Sequence, residues 1–236
     1  MNPGAKSNLP PEIELLAVEA TDHDALLDAY ALLRGALGDG NVEDMDSFRA
    51  TLTPAADGAI VPRMLCAVLD GRVLGTILGA YLPEVNIGMV LYSAVAGPLR
   101  GRGLYTRLRM GLMEWLATVA APNGPDYLVS EMDADTRLGR KYVRDWGAFV
   151  AQCDYEVPPT QGLAPRGLDL LIQPVSRRSP PTARELVSII REVYERVYRL
   201  EDVEGSAIFQ RVVQSVRPRV QEDSRTRSAA RSLPAR

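Results

Sequence analysis

The segment from Val95 to Leu108, Val-Ala-Gly-Pro-Leu-Arg-Gly-Arg-Gly-Leu-Tyr-Thr-Arg-Leu, contains the residues best suited to chemistry in this chain. It follows an apolar, β-branched run that predicts a strand, and it begins an amphipathic run that predicts a helix. A strand that turns through glycines into a helix brings free backbone N–H groups together without a Cβ in the way. The dipole of the helix also attracts negative charge. The segment therefore predicts a binding site for a phosphorylated cofactor.

Two common phosphate-binding motifs do not fit this segment. A P-loop requires a lysine followed by serine or threonine after its glycines, and the segment has no lysine. A dinucleotide-binding fingerprint requires a third glycine early in a βαβ unit. Thr106 occupies the place of that glycine, and the segment follows three consecutive predicted strands. If the segment binds phosphate, it therefore belongs to another class of phosphate-binding motif.

The composition is typical of a globular protein with one main domain and appendages. Of the 236 residues, 46% are hydrophobic and 24% are charged. The net charge is −3, and residues 217–236 carry six arginines against two acids, so the body of the chain is acidic. Nucleic-acid-binding proteins present a basic face, so we expect no nucleic-acid partner. We also expect no membrane insertion, because no apolar run is long enough to span a bilayer.

The sequence offers few ligands for a metal and few groups for nucleophilic catalysis. It contains Cys66, Cys153 and a single histidine, His23, so neither a zinc site nor a Ser-His-Asp triad is supported. Both cysteines lie in apolar runs, which is typical of buried thiols in a reducing compartment. The first residues lack the apolar core of a signal peptide. We therefore expect no metal and a cytoplasmic location.

Hydrophobic periodicity predicts the elements that position the glycine segment. Residues 1–11 and the Arg/Ser-rich tail 217–236 are expected to be disordered. The predicted elements, in chain order, are a strand at 12–20, helices at 22–37 and 45–52, strands at 63–69, 73–82 and 87–95, a helix at 104–119, a strand at 126–132, a helix at 136–146, strands at 147–157 and 167–175, and helices at 182–200 and 206–216. This order contains no repeated βα unit. It predicts an α/β (α+β) fold over 12–176, with a mixed, mostly antiparallel twisted sheet and helices on both faces. A C-terminal helical extension follows over 181–216.

Residues 100–105, Arg-Gly-Arg-Gly-Leu-Tyr, closely resemble the pyrophosphate-binding signature (Q/R)-x-x-G-x-(G/A) of the GNAT superfamily of N-acetyltransferases. Arg100 and Gly103 match the signature, and Tyr105 departs from its last position. A tyrosine there can crowd the phosphates or stack beside them. The order of the predicted strands and helices around the signature is also similar to that of the family.

A second segment, residues 141–149, resembles the family's pattern of a tyrosine near a helix end followed by Gly-Phe and a strand. Tyr142 supplies the tyrosine, and Ala148 is inserted between the glycine and the phenylalanine. The resemblance covers roughly residues 13–174, and it implies a GNAT-like acyl-CoA-binding domain over 12–176.

The resemblance implies acetyl-CoA as the donor of an acyl group. In the family, the pyrophosphate lies on backbone amides of the glycine loop, and the pantetheine lies between two splayed strands. Arg102 and Arg107 can add ion pairs to phosphates, or they can face solvent. The residues that the resemblance implies for cofactor binding are Ser93, Val95, Arg100, Gly101, Arg102, Gly103, Leu104, Tyr105, Thr106 and Arg107.

The resemblance also implies candidates for acid and base catalysis. Tyr142 stands where the family has a phenol that protonates the leaving thiolate, although a core tyrosine at the helix–sheet seam is the alternative. Glu131 alternates with Tyr127 and Val129 on a predicted strand and can face the cleft. Glu84, near the end of an earlier strand, is the other candidate base. Both glutamates can instead be surface charges, with water carrying the proton.

The leading hypothesis is therefore an N-acetyltransferase that transfers an acetyl group from acetyl-CoA to a primary amine. The amine can belong to a small molecule or a peptide, and the sequence does not identify it. The alternative is a non-catalytic GNAT-like module that binds acyl-CoA or interacts with proteins. A homodimer is expected for this fold. The apolar stripe of the C-terminal helices must pack on the body, a second protomer or a partner helix.

Overall fold

Nine strands and six α-helices form within the part of the chain that the computed structural model describes, residues 9–159 and 166–217. The strands are β1 (Glu14–Val18), β2 (Val61–Leu69), β3 (Arg72–Leu82), β4 (Ile87–Val95), β5 (Tyr127–Met132), β6 (Phe149–Val150), β7 (Glu156–Val157), β8 (Arg166–Gly167) and β9 (Asp169–Pro174). The helices are α1 (His23–Leu37), α2 (Met45–Thr51), α3 (Leu104–Val119), α4 (Arg137–Trp146), α5 (Ala183–Glu192) and α6 (Ala207–Ser215). Up to α4, every predicted element is present.

Seven of the strands form one sheet in the order β1-β2-β3-β4-β5-β9-β6. Strands β1 to β4 are an antiparallel meander, β4 and β5 pair in parallel, and β9 pairs antiparallel with both β5 and β6. The prediction of a mixed, mostly antiparallel sheet is confirmed. Strands β7 and β8 form a separate two-stranded pair.

The sheet opens between β4 and β5. The two strands pair only from Ile87 and Tyr127 to Val90 and Ser130, although both continue beyond that point. In the register between β3 and β4, Leu91 is the extra residue of a β-bulge, which bends the strand. The residues of β4 after the bulge pair with β3 alone, and a gap therefore separates the ends of β4 and β5.

Helices cover both faces of the sheet, as predicted. Face A, which includes Leu78 and Met89, packs against α1 and α2 at one end and against α5 and α6 at the other. Face B, which includes Ile77 and Leu128, packs against α3. Helix α4 also lies on face B, where Tyr142 packs on Leu171 of β9.

Two glycines allow α3 to lie close to the sheet. A Cβ at Gly79 would be 2.8 Å from the Leu112 side chain, and one at Gly88 would be 2.5 Å from that of Leu116. These distances are below van der Waals contact, so larger residues would push α3 away. Close packing of α3 fixes where its N-terminus meets the end of β4.

The C-terminal helices pack on the body of the same chain. Ile190, Tyr194 and Phe209 are buried and share one apolar cluster with Ile87 and Met89 of β4. The sequence left three possible packing partners for the apolar stripe, and the structure shows that it packs on the body of the same chain. The homodimer stays a prediction.

Three element predictions after α4 are wrong in detail. The strand predicted over 167–175 is shorter, because β9 begins at Asp169 and Gly167 belongs to β8 in the other sheet. The single helix predicted over 182–200 ends as an α-helix at Glu192 and continues as a π-helical turn, Val193–Val197. The single strand predicted over 147–157 is divided into β6 and β7, which belong to different sheets. Between them lies the buried Tyr155, whose hydroxyl donates to the Glu131 carboxylate of β5.

The predicted disordered ends lie mostly outside the described residues. Leu9 packs against the core on face B, and the backbone N–H of Arg217 donates to the carbonyl of Gln152 at 2.9 Å. Within residues 9–159 and 166–217, no helix has the length and apolar character needed to cross a membrane.

Candidate functional site

The glycine loop forms an anion-binding geometry between β4 and α3. Gly101 has a φ of +79° and Gly103 a φ of +99°, which are left-handed values that favour glycine. Gly103 caps α3 without a side-chain bond, and the first turn of α3 contains no acid. The first-turn N–H groups of a helix have no intrahelical acceptor. The N–H groups from Leu104 to Thr106 therefore remain available to an anion at this end of α3.

Bonds within the loop hold its shape. The backbone N–H of Arg102 donates to the carbonyl of Leu99 at 3.2 Å, and that of Arg100 donates to Gly97 at 3.1 Å. The guanidinium Nε of Arg100 donates to the Val95 carbonyl at 3.0 Å. Two predicted cofactor contacts, the Arg102 amide and the Val95 carbonyl, thus already have partners in the protein. The role of Arg100 shown here is to fasten the loop to β4.

Positive charge surrounds the loop. Arg102 is exposed and Arg107 is half-buried. The guanidinium of Arg137, at the start of α4, lies 3.6 Å from the position that a Cβ on Gly101 would take. Sequence reasoning missed Arg137, because only the packing of α4 beside α3 brings it to the loop. These cations favour a ligand with several negative charges.

Tyr142 and the half-buried Tyr105 form a pair of phenols on face B. Their hydroxyl oxygens are 2.5 Å apart, and Tyr142 is completely buried. Burial raises the pKa of Tyr105 well above its usual value, Tyr142 raises it further, and the Ser93 hydroxyl lowers it. The Tyr105 ring packs against Trp146, at 5.9 Å between centroids, and so points towards α4.

Polar atoms without partners lie next to the phenols. Arg109 of α3 is buried, its guanidinium carbon is 4.1 Å from the Trp146 ring centroid, and it donates to the Gln173 side chain. Its Nε has no hydrogen-bond partner among the described residues. The buried hydroxyl of Ser130 also has no hydrogen-bond partner among the described residues. Ser130 is the last residue of β5 that pairs with β4. Buried polar atoms without partners are costly, so they mark a place where a ligand or water fits.

The two predicted bases lie in different places. Glu131 is on face A at the end of β5, where β5 pairs with β9 and no longer with β4. Its carboxylate accepts hydrogen bonds from the hydroxyls of Tyr155 and Tyr198. Burial, followed by the negative charge of Glu131, raises the pKa of Tyr155 well above its usual value. Glu84 lies exposed in the turn that joins β3 to the start of β4. Glu84 is thus at the opposite end of β4 from the gap.

A cavity of about 310 Å³ lies on face A beside the bulge residue Leu91. Its walls come from the loop between α2 and β2 and from the π-helical turn with the residues that follow it. Arg196 lines the cavity and pairs with Glu195 at 3.2 Å and with Asp57 at 3.7 Å. Arg199, also in the lining, has a φ of +54°, which is uncommon for a residue other than glycine. Sequence reasoning did not identify this cavity, because its walls are distant in the chain.

Known proteins are similar to this chain in structure and not in sequence. The sequence matches no protein-family model and no curated protein. An acetyltransferase assigned to the GNAT family from Bacteroides thetaiotaomicron is 14% identical, with a TM-score of 0.60 over 80% of this chain and 100% of that chain. The ribosomal-protein-S18-alanine N-acetyltransferase of Escherichia coli is 16% identical, with a TM-score of 0.52 over 71% of this chain and 96% of that chain.

A chain of the NatC complex bound to Gag peptide and CoA is also similar in structure. It is 15% identical, with a TM-score of 0.54 over 70% of this chain and 99% of that chain. The seven-stranded sheet with helices on both faces is therefore the fold of the GNAT acetyltransferases.

Proposed function

We propose that this GNAT-fold chain is an N-acetyltransferase that transfers the acetyl group of acetyl-CoA to a primary amine. The observation that carries the proposal is the glycine loop at the N-terminus of α3, where no side chain caps the helix. This loop lies directly beside the gap between β4 and β5. The similar NatC chain comes from a complex with CoA, which supports the same ligand here. The loop binds the pyrophosphate through Leu104–Thr106, and Arg102, Arg107 and Arg137 attract its charge.

The gap provides a place for the extended pantetheine arm. Because β4 pairs only with β3 after Val90, its other edge offers the backbone groups of Ser93 to the amides of that arm. Acetyl-CoA supplies a thioester that an amine can attack. On face B the Ser130 hydroxyl, buried and without a hydrogen-bond partner among the described residues, lies where the gap begins. The site therefore fits the cofactor in charge, shape and polar groups.

The reaction exchanges one bond for another without a change in oxidation state. The nitrogen of the acceptor bonds to the acetyl carbon, the bond from that carbon to sulfur breaks, and sulfur keeps the electron pair. Tyr142 donates its hydroxyl proton to the sulfur, and the nitrogen loses one proton to Glu131 or to water. The position of Glu131 at the end of β5 that borders the gap favours it over Glu84 as the group beside the acceptor.

The cavity on face A is proposed as the acceptor site. It borders Leu91 in the bulge of β4, so an amine bound there reaches the gap from the side opposite α3. Its walls contain two acids, Asp57 and Glu195, and two arginines, Arg196 and Arg199, so the charges of the lining balance and the acceptor is defined only as a primary amine. The C-terminal extension thus has a function, because its π-helical turn forms one wall of the cavity.

Two measurements test this function. Isothermal titration calorimetry with CoA tests binding, and release of free thiol from acetyl-CoA tests transfer to spermidine, kanamycin, L-lysine and a peptide with an N-terminal alanine. We expect CoA binding and thiol release with at least one amine. The absence of heat with CoA would contradict the proposal, because acetyl transfer requires that the protein bind the cofactor.

One observation favours the second candidate, a non-catalytic module that binds acyl-CoA. The Tyr142 phenol is completely buried, and Tyr105 stands where the family signature has glycine or alanine. Tight binding of CoA without thiol release for any of the four amines would favour this module over the enzyme.

A further inference from the structure

Tyr105 is the residue at which this chain departs from the family signature, and the structure gives its side chain a specific partner. Its ring leaves the first turn of α3 and meets α4, where its hydroxyl contacts that of Tyr142 at 2.5 Å. We propose that Tyr105 is a positioning residue that orients the Tyr142 phenol as the proton donor to the leaving thiolate. This inference rests on the proposed acetyl transfer.

The aromatic cluster around the two phenols fixes their relative position. The Tyr142 ring lies edge-on to Trp146 with centroids 4.7 Å apart, and the Tyr105 ring lies 5.9 Å from the same indole. The pair also packs with Met132, the last residue of β5, while Ser93 of β4 interacts with the Tyr105 hydroxyl. The phenols therefore lie next to both strands that border the gap.

The order of the hydrogen bonds leaves one proton free for transfer. The Ser93 hydroxyl lowers the pKa of Tyr105, as a donor to the Tyr105 oxygen does. Either hydroxyl can donate in the 2.5 Å bond between Tyr105 and Tyr142. In the proposed arrangement Tyr105 is the donor to the Tyr142 oxygen, since the Ser93 hydroxyl beside Tyr105 can donate to the Tyr105 oxygen in turn. The Tyr142 proton is then the one that the pair does not use internally, and it is available to the sulfur.

The same bond stabilises the state after transfer. Once Tyr142 has donated its proton, its oxygen carries a negative charge, and a bond donated by Tyr105 to a charged oxygen is stronger than one to a neutral oxygen. The guanidinium carbon of Arg109 lies 5.6 Å from the centroid of the Tyr142 ring, and the hydrogen bond described for Arg109 goes to the neutral amide of Gln173. Its charge is therefore available to the phenolate. Solvent returns a proton to Tyr142 after the product leaves.

The test compares Tyr105→Phe with Tyr142→Phe and with the double variant. Acetyl-CoA and the best amine of the panel are the substrates, and CoA affinity is measured by calorimetry. Tyr105→Phe keeps the ring and removes the hydrogen bond, so we expect kcat to fall about 10- to 100-fold, as for loss of a bond to a charged group. We expect the KM for acetyl-CoA and the affinity for CoA to stay the same. Tyr81→Phe, which removes a phenol bonded to Asn86 outside the site, is the matched control.

The double variant separates positioning from a general effect on structure. If Tyr105 acts through Tyr142, the double variant has the same kcat as Tyr142→Phe within about threefold, because the two effects are coupled. Independent, multiplicative losses would overturn the inference, as would an unchanged kcat in Tyr105→Phe.

Tyr105→Ala tests the opposite role, in which the tyrosine blocks the cofactor. It restores a small residue to the signature, and we expect it to lose turnover. Tighter CoA binding and faster turnover in Tyr105→Ala would overturn the inference while supporting the proposed function. Failure of the wild-type protein to bind CoA would instead refute the proposed function, and binding without turnover would contradict both.

Discussion

Replacing Gly103 with alanine tests the anion site through the backbone alone. Gly103 precedes α3 with φ +99° and ψ −3°, a conformation that costs an L-residue about 1–2 kcal/mol. In the free protein the variant loop can relax from this conformation. Binding of CoA must then restore it, so the affinity falls by the strain energy. Since 1.4 kcal/mol is a factor of ten, we expect the Kd for CoA to rise about 5- to 30-fold.

Gly97→Ala is the matched control for this prediction. Gly97 is in the same loop, and its φ is not positive. Among the described residues, apart from its two chain neighbours, no atom lies within 4 Å of the position that a Cβ would take. We expect its Kd for CoA to match that of the wild-type protein within about twofold. Calorimetry measures the affinities, and circular dichroism confirms that both variants are folded. Equal Kd values for Gly103→Ala and the wild-type protein would refute the argument that this backbone conformation forms the anion site.

Three further predictions concern the base, the core and a buried thiol. Glu131→Gln is expected to lower kcat about tenfold more than Glu84→Gln in the thiol-release assay, because only Glu131 lies beside the gap. Gly88→Ala is expected to lower the free energy of unfolding by about 1–3 kcal/mol in a urea titration, since its Cβ would lie 2.5 Å from the Leu116 side chain. Burial raises the pKa of Cys66 from 9.0 to about 11, so iodoacetamide at pH 8 should not alkylate it in the folded protein. The raised pKa also means that Cys66 favours folding below pH 9 and that this contribution is lost as the pH rises towards 11.

Local sequence signals predicted most of the fold. The strand Ile87–Val95 and the helix starting at Leu104 were predicted with their observed limits, because hydrophobic periodicity and the glycines between them are local features. The long-range contacts of Tyr155 were not visible in the sequence. Tyr155 lies between β6 and β7, into which the one predicted strand is divided.

The candidate site was predicted only in part for the same reason. Glycines in a strand–loop–helix context indicated the anion site and its position. Arg137 has no signal of its own, because its sequence neighbours do not show that α4 will pack beside the glycine loop. The cavity on face A likewise combines residues near 51–60 with residues near 195–199.

The sequence by itself determined the order of the elements and the position of the glycine loop, because backbone conformation and apolar periodicity depend on neighbouring residues. Only the tertiary structure decided which side chains meet across the gap. Tyr105 and Tyr142 are 37 positions apart, and Tyr198 and Glu131 are 67 apart. Such pairs form because α4 and the C-terminal extension pack on opposite faces of one sheet, and a packing arrangement depends on the whole core and not on any one segment.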